Sequence, residues 1–547
     1  MIIKNIFLCC ILILAALPQA WAQGNNQLEI LNAENLYGGK GVERLLGDVR
    51  MKHQNSLIYC DSAHFYSQDN FARLYGKVRI VDQQDPVTTT SRYAEYDGNT
   101  RIAKLRNNVV FKNEETTLYT DYLDYDRSTG VANYFNFGRV IDDMNVLTSD
   151  KGVYETQIEK ITFTDDVELV NPDYTLRSNI LFYYTIPKTA ETVDITNIVS
   201  IEGDKLNARK GSFYDTQNKK FRFYEGDVEN ETSIISGDIL YFDEEEQYYE
   251  AQRNVSIYNK ERKMEVFGEE GKYWENRKYS KVYGNALVMK YFEADTMYLI
   301  ADTLISQDSE IDAERYMTAF KNVRLIKGEL SGRSDSLAYI YSDSTIYLYD
   351  DPLLWNDKSQ IKADSIHFTI ANENIDRAYL RRNTFAITKD TLSNFNQIKG
   401  RKMTGFFLDG EMHKLDVEGN GQSLYYALEK DTLLKGLNNL LCGRIMMHFQ
   451  QGQIQRINHA GKPEANFKPP HLFKKEDERL EGFVWREDER PTMDMMMAWR
   501  TPIFRNREDE INYFEEYEIR LPYPTDEMIQ PYLIQEIPLN IPIRRDE

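Results

Sequence analysis

Aliphatic and polar residues alternate along this chain in short bursts, each introduced by glycine, asparagine or a charged residue. In Gly47-Asp48-Val49-Arg50-Met51-Lys52 the two aliphatics share one face and the two cations share the other. The phrase returns at Gly76-Lys77-Val78-Arg79-Ile80, Asn107-Asn108-Val109-Val110-Phe111, Asp165-Asp166-Val167-Glu168-Leu169 and Gly226-Asp227-Val228-Glu229. It continues at Arg253-Asn254-Val255-Ser256-Ile257, Gly284-Asn285-Ala286-Leu287-Val288 and Lys321-Asn322-Val323-Arg324-Leu325. Strict alternation marks strands with one dry and one wet face. From Asp48 to Asn322 the copies recur at roughly 30-residue intervals, which predicts a stacked repeat array. The leading Gly, Asn and Asp residues tolerate a left-handed backbone or bond to their own main chain, so they read as turns before each strand.

A second phrase follows each first one: an apolar pair, a small or acidic residue, then aromatics. It occurs at 57–66, 120–125, 236–242, 332–339 and 363–368. Each repeat therefore predicts two short antiparallel strands. Polar runs such as Asp126-Arg127-Ser128-Thr129-Gly130 and Asp243-Glu244-Glu245-Glu246 read as surface turns. The spacing widens around 187–197, which suggests a seam between two arrays. The expected organisation is repeats over 23–190, repeats over 191–435, a capping hairpin over 436–466, and a charged, Pro-punctuated extension over 467–547. That extension carries a short helix expected near 505–517 and reads as a tail ordered by a partner.

The first 22 residues look like a secretory signal. A single Lys4 precedes an apolar run, and Ala20-Trp21-Ala22 offers a cleavage pattern. Cys9 and Cys10 lie inside that run, not after it, which argues against lipidation. The formal charge of −21 opposes nucleic-acid binding and purely electrostatic docking on anionic lipid. Only Cys60 and Cys442 follow the signal, too few for a disulfide framework. The 37 tyrosines suit a β-rich chain with many half-exposed positions.

Catalytic patterns are missing from the sequence. His53, His64, His367, His413, His448, His459 and His471 form no metal-binding spacing. The Asp61-Ser62, Asp335-Ser336 and Asp364-Ser365 pairs sit at equivalent repeat positions, which favours a structural role over a nucleophile. No catalytic residue, cofactor or metal site is expected, and the chain does not read as an enzyme.

The paired phrases, clearest at Gly47-Asp48-Val49, Gly226-Asp227-Val228 and Asp61-Ser62-Ala63-His64-Phe65-Tyr66, resemble the OstA-like family, over about 28–421. That family includes the LptA bridge and the periplasmic domain of LptD in lipopolysaccharide transport. The resemblance implies an all-β fold: an elongated β-taco or jelly-roll array of short antiparallel strands, ending in a partly irregular tail. It implies a periplasmic location with outer-membrane association through partners. The partners would be lipopolysaccharide or a related glycolipid, together with other OstA-like jelly rolls joined by strand addition at open sheet edges. The acyl chains would lie in an apolar groove floored by Val49, Met51, Val78, Ile80, Val109, Phe111, Val167, Leu169, Val255, Ile257, Val323 and Leu325. A dozen repeats of two strands at about 4.8 Å would reach roughly 120 Å, a conduit's length. The residues alone also fit a filled solenoid core, and with it a structural or adhesin-type β-solenoid scaffold, or a polysaccharide-active β-helix enzyme.

Overall fold

A computed structural model describes residues 26–499, apart from the short stretches 40, 84–86, 114–115, 294, 372–373, 409–410 and 451–452. The expected signal segment and the helix expected near 505–517 lie outside the described residues. The chain divides into two compact units, Met1–Ala190 and Glu191–Glu547. Both are built of antiparallel strands.

In the first unit long strands follow one another, each pairing with the next. They begin Val42–His53, Ser56–Tyr66, Phe71–Asp82, Thr88–Asp97 and Ile102–Lys112. They continue Thr116–Asp126, Val131–Asp142, Asn145–Glu155, Lys160–Val170 and Tyr174–Tyr184. Each strand is hinged. Two short strands flank Val42–His53: Asn35–Gly39 on its first half and Glu29–Asn32 on its second. The ladder slips between Leu46 and Val49, so each strand has two limbs meeting at a corner.

The phrase that reads as a turn is in fact this corner, inside a strand. Gly47 and Asp48 have φ of 75° and 40°, Asn107 and Asn108 have 65° and 53°, and Asp165 and Asp166 have 65° and 49°. Two successive left-handed residues insert a bulge and redirect the strand without ending it. Glycine, asparagine and aspartate are selected for that reason. The corner also preserves the inward parity on both sides, so Leu45, Val49 and Met51 are all buried.

The second unit repeats the plan from Lys220–Glu229 to Leu433–Gln450, with strands that lengthen from 10 residues at the first to 18 at the last. Some corners become breaks: Leu330–Ile340 pairs with Thr345–Tyr349 along one limb and with Leu353–Asn356 along the other. Val255, Asn254 and Arg253 keep the hinged form, with Arg253 and Asn254 at φ 57° and 51°. The corner amide of Asn254 donates to Asp238 at 3.0 Å, and Asn383 does the same to Asp364.

The extension lies on the unit's own sheet. After Glu464–Lys468 pairs with Leu433–Gln450, residues 469–499 run back across the outer face as a strap. They follow one outer row: Leu424, Gln397, Ile387, Gln360, Trp355, Ser331, Ile326, Tyr298, Met289. Leu480, Phe473, Phe483 and Trp485 cover Phe385, Ile387, Leu424, Tyr426 and Leu437. The helix Met493–Trp499 seats Met496 on Phe267, Leu287, Ile300 and Ile326. Over 469–499, therefore, the sheet itself supplies the ordering that the composition suggested would need a partner.

Candidate functional site

Two limbs per strand enclose a space, and the inward side chains line it. In the first unit, one limb face carries Met51, Ile58, Ile80, Thr89, Phe111, Leu118, Val140, Leu147, Leu169 and Leu176 in unbroken register. The other face carries Phe65, Ala72, Tyr96, Ala103, Tyr125, Ala132, Tyr154, Ile161 and Tyr183. On this second face Ala72, Ala103 and Ala132 alternate with Phe65, Tyr96, Tyr125 and Tyr154, so these rings have room to lie over a small neighbour and reach toward the opposite rim.

The tyrosine hydroxyls and nearby charges close the mouth. The Tyr96 hydroxyl donates to His53 Nδ1 at 2.8 Å. Asn113 donates to the Tyr154 oxygen at 2.6 Å, and Tyr154 donates to Glu159 at 2.6 Å. Tyr183 donates to Asp142, which also holds Lys188 at 2.7 Å. Arg127 pairs with Asp82. These contacts join the free end of one limb to the free end of the other, as a polar seam. Burial pushes the Tyr96, Tyr154 and Tyr183 hydroxyls above the usual phenol range, with neighbouring carboxylates adding to the effect at Tyr154 and Tyr183. Burial also holds the His53 imidazole below its ordinary value, against the opposing bond to the Asn26 carbonyl.

Val49, Met51, Val78, Ile80, Val109, Phe111, Val167 and Leu169 all point inward, but here they form a closed core, not an open trough. A cavity beside Phe111, Leu118, Tyr134, Val140, Tyr154 and Ile161 measures about 10 Å³. That is room for about one water molecule at most and far too little for a hydrocarbon tail. The seam also resists opening. The Arg127 and Asp82 side chains are only 8% and 5% exposed, and breaking such a buried pair costs about 3–5 kcal/mol.

The second unit is built differently at its first long strands. One wall is aliphatic: Val228, Ile235, Ile257 and Val266, each opposite the next. The other is aromatic: Phe221, Phe242, Tyr249 and Tyr273. Gly226, Gly237, Gly268 and Gly271 line the corner between them. Val228, Ile235, Ile257, Val266, Phe242 and Tyr249 are only half-buried, and Tyr273 is 36% exposed. The Tyr249 hydroxyl donates to Glu275 at 2.6 Å along its own rim, so it does not cross the mouth. The rung that does cross joins Arg262 to Asp308 at 3.3 Å, with side chains 37% and 48% exposed. An exposed pair of this kind contributes about 0–1 kcal/mol. Of the expected groove residues here, Val255 and Val323 are buried, whereas Ile257 and Leu325 are half-buried.

The sequence reading missed the seam. Its signal was present: Tyr96, Tyr125, Tyr154 and Tyr183 recur at equal intervals. Of the histidines, His53 joins the seam, while His367 stacks between Tyr347 and Tyr379 on an outer face. Among the described residues no group of three or more His, Cys, Asp or Glu side chains is placed to hold a metal ion. No helix among them is long and apolar enough to cross a membrane.

This succession of hinged strands around an apolar interior is matched by one family model. Residues 26–179 match OstA-like protein. The OstA-like match thus falls on the first, sealed unit. Among solved structures, the chain is similar to the crystal structure of LptH, described as the LptA-homologous periplasmic component of the conserved lipopolysaccharide transport device from Pseudomonas aeruginosa. The two are 15% identical with a TM-score of 0.19, and the likeness covers 20% of this chain and 83% of that one. No curated protein matches.

Proposed function

We propose that this chain is a periplasmic glycolipid-handling protein that carries acyl tails in its second unit on the way to the outer membrane. The observation that carries this reading is the half-buried aliphatic wall of Val228, Ile235, Ile257 and Val266 facing the aromatic wall of Phe242, Tyr249 and Tyr273. Burying one methylene is worth about 0.8 kcal/mol, so a twelve-carbon tail gains on the order of 10 kcal/mol by leaving water. These side chains are partly buried, Ile257 and Val266 against the unit's own core, and the part that remains exposed gives such a tail a surface that it can share in passing. The OstA-like match over 26–179 supports a lipopolysaccharide or related glycolipid as cargo.

The sealed interior of the first unit favours a different role for that unit. It has an open sheet edge at Asn35–Gly39, where Leu36 and Tyr37 are exposed, and that edge is suited to strand addition by another OstA-like jelly roll. No residue is assigned a catalytic role.

Site-specific photocrosslinking tests the reading. A crosslinker at Ile257 or Val266 should capture glycolipid in cells, and one at Met51 or Phe111 should not. Capture at the first-unit positions alone, or at none of the four, would overturn it.

A further inference from the structure

We infer that the turn at 259–264 is the headgroup subsite of the second unit's groove, and that Arg262 leaves Asp308 to bind the phosphate of an anionic amphiphile. The inference rests on the tail-carrying reading above and adds to it the charge of the cargo and the residue that receives it.

The cross-mouth rung recurs in the fold. Asp82 pairs with Arg127, Asp142 with Lys188, and Arg262 with Asp308, at sequence separations of 45, 46 and 46. In each case the end of one limb meets a connection about three strands further on. The first two rungs are buried among tyrosines, so neither partner can leave without stranding a charge. The third differs in two respects. It is exposed, and its carboxylate has a second cation, because Arg315 reaches Asp308 at 3.0 Å. Arg315, which it shares with Asp312 at 3.3 Å, therefore still faces Asp308 when Arg262 swings away, and Asp308 is exposed enough for water to solvate the rest of its charge.

Arg262 is also where a headgroup would arrive. It stands next to Met264 and Val266 on the aliphatic wall, within Lys260-Glu261-Arg262-Lys263, three cations in four residues. Lys260 is engaged with Glu229 and the Asn230 carbonyl, both at 2.8 Å. Lys290, opposite Met264, donates to the Arg262 carbonyl at 2.5 Å and pins the turn. Of the other two cations of the turn, Lys263 points to solvent and Arg262 bridges the mouth; the Arg262 guanidinium, with its planar fork, is the one that suits a phosphate. On a chain with net charge −21, an anionic amphiphile needs such a local cation to approach.

The test compares three probes on the full chain: dodecyl phosphate, dodecyl maltoside and inorganic phosphate, with affinities read by calorimetry. The intact protein should hold dodecyl phosphate roughly tenfold tighter than dodecyl maltoside, the ratio a charge-assisted contact supplies, and bind inorganic phosphate only weakly. Arg262→Gln should bring dodecyl phosphate down to the maltoside level and leave maltoside unchanged. Lys260→Gln, which removes a cation already engaged, should change neither. Ile257→Asp should weaken both amphiphiles. If Arg262→Gln leaves dodecyl phosphate binding intact, the headgroup assignment fails while the groove stands. The same assignment fails if inorganic phosphate binds as tightly as dodecyl phosphate. If neither amphiphile binds the intact protein, the groove reading itself fails.

Discussion

The Tyr96 hydroxyl donates to His53 Nδ1 across 2.8 Å, tying the free end of one limb to the free end of the other. His53 Nε2 faces the Asn26 carbonyl at 3.2 Å, an acceptor, so that nitrogen carries the ring hydrogen and Nδ1 is left to accept. The Tyr96 oxygen in turn accepts from Arg127 at 3.4 Å, which links this rung to the Arg127–Asp82 pair. The first unit is sealed by a network whose members depend on one another.

Removing one hydroxyl from that network should cost more than an exposed hydrogen bond. Tyr183→Phe leaves Asp142 buried with Lys188 as its remaining cross-mouth partner, and Tyr96→Phe leaves His53 Nδ1 without its donor. Each should destabilise the first unit by about 1–3 kcal/mol, the cost of a stranded buried polar group. Hydrogen exchange of the amides in Val131–Asp142 and Val42–His53 reports it. Unchanged protection in both variants would mean that the seam does not hold the limbs together.

The His53 ring also predicts a pH dependence. Burial lowers its folded-state value below the ordinary 6.5. Between the folded and unfolded values the unfolded chain binds a proton that the folded ring refuses, so stability falls as pH drops below the unfolded value and levels off below the folded one. Denaturation midpoints compared at about pH 7.5 and 5.5 should show a smaller loss for His53→Gln than for the native chain. An equal loss would remove His53 from the account.

Gln397 and Gln360 act as paired clamps on the strap. Gln397 donates to the Glu478 carbonyl and accepts from the Leu480 amide, both at 2.8 Å. Gln360 donates to the Val484 carbonyl at 2.8 Å and accepts from the Arg486 amide at 2.6 Å. Both glutamines are almost fully buried, so Gln397→Leu exchanges two satisfied groups for an apolar surface and strands two strap groups. The strap should lose about 1–3 kcal/mol of local stability, seen as faster exchange at Leu480 and Phe483 with strands 220–291 unaffected. Loss of protection throughout the unit would show the strap to be inseparable from the fold.

At the corners the backbone requirement can be separated from the hydrogen bond. Asn254 has φ 51° and donates to Asp238 at 3.0 Å. Asn254→Gly keeps the conformation and loses only the bond, whereas Asn254→Val puts a β-branched residue in the left-handed region. The glycine variant should lose at most about 1 kcal/mol and the valine variant at least ~1–2 kcal/mol more. Equal midpoints for the two in chemical denaturation would contradict the corner geometry.

The strand faces were legible in the sequence because inward parity has a period of two, and the corners preserve it. Val49, Val78, Val109 and Val167 point inward for that reason. The corners themselves were misread as turns, because a left-handed Gly-Asp or Asn-Asn pair has the same composition whether it ends a strand or bends one. Whether an interior is open or shut could not be read from the aliphatic rows, which both units share. It depends on Tyr96, Tyr154 and Tyr183 meeting His53, Asn113 and Asp142 some forty residues earlier, a pairing between opposite limbs that alternation does not encode. The strap was hidden for a related reason: Leu480, Phe483, Trp485 and Met496 are scattered among charges and gain an apolar face only from the outer row they cover.

The most direct measurement is anomalous diffraction from crystals of the full chain grown with a dodecyl phosphate brominated along its tail. The account predicts bromine peaks between the Ile257–Val266 wall and Tyr249, with none inside the first unit. Peaks among Met51, Ile80 and Phe111, or an amphiphile bound only on outer faces, would contradict it.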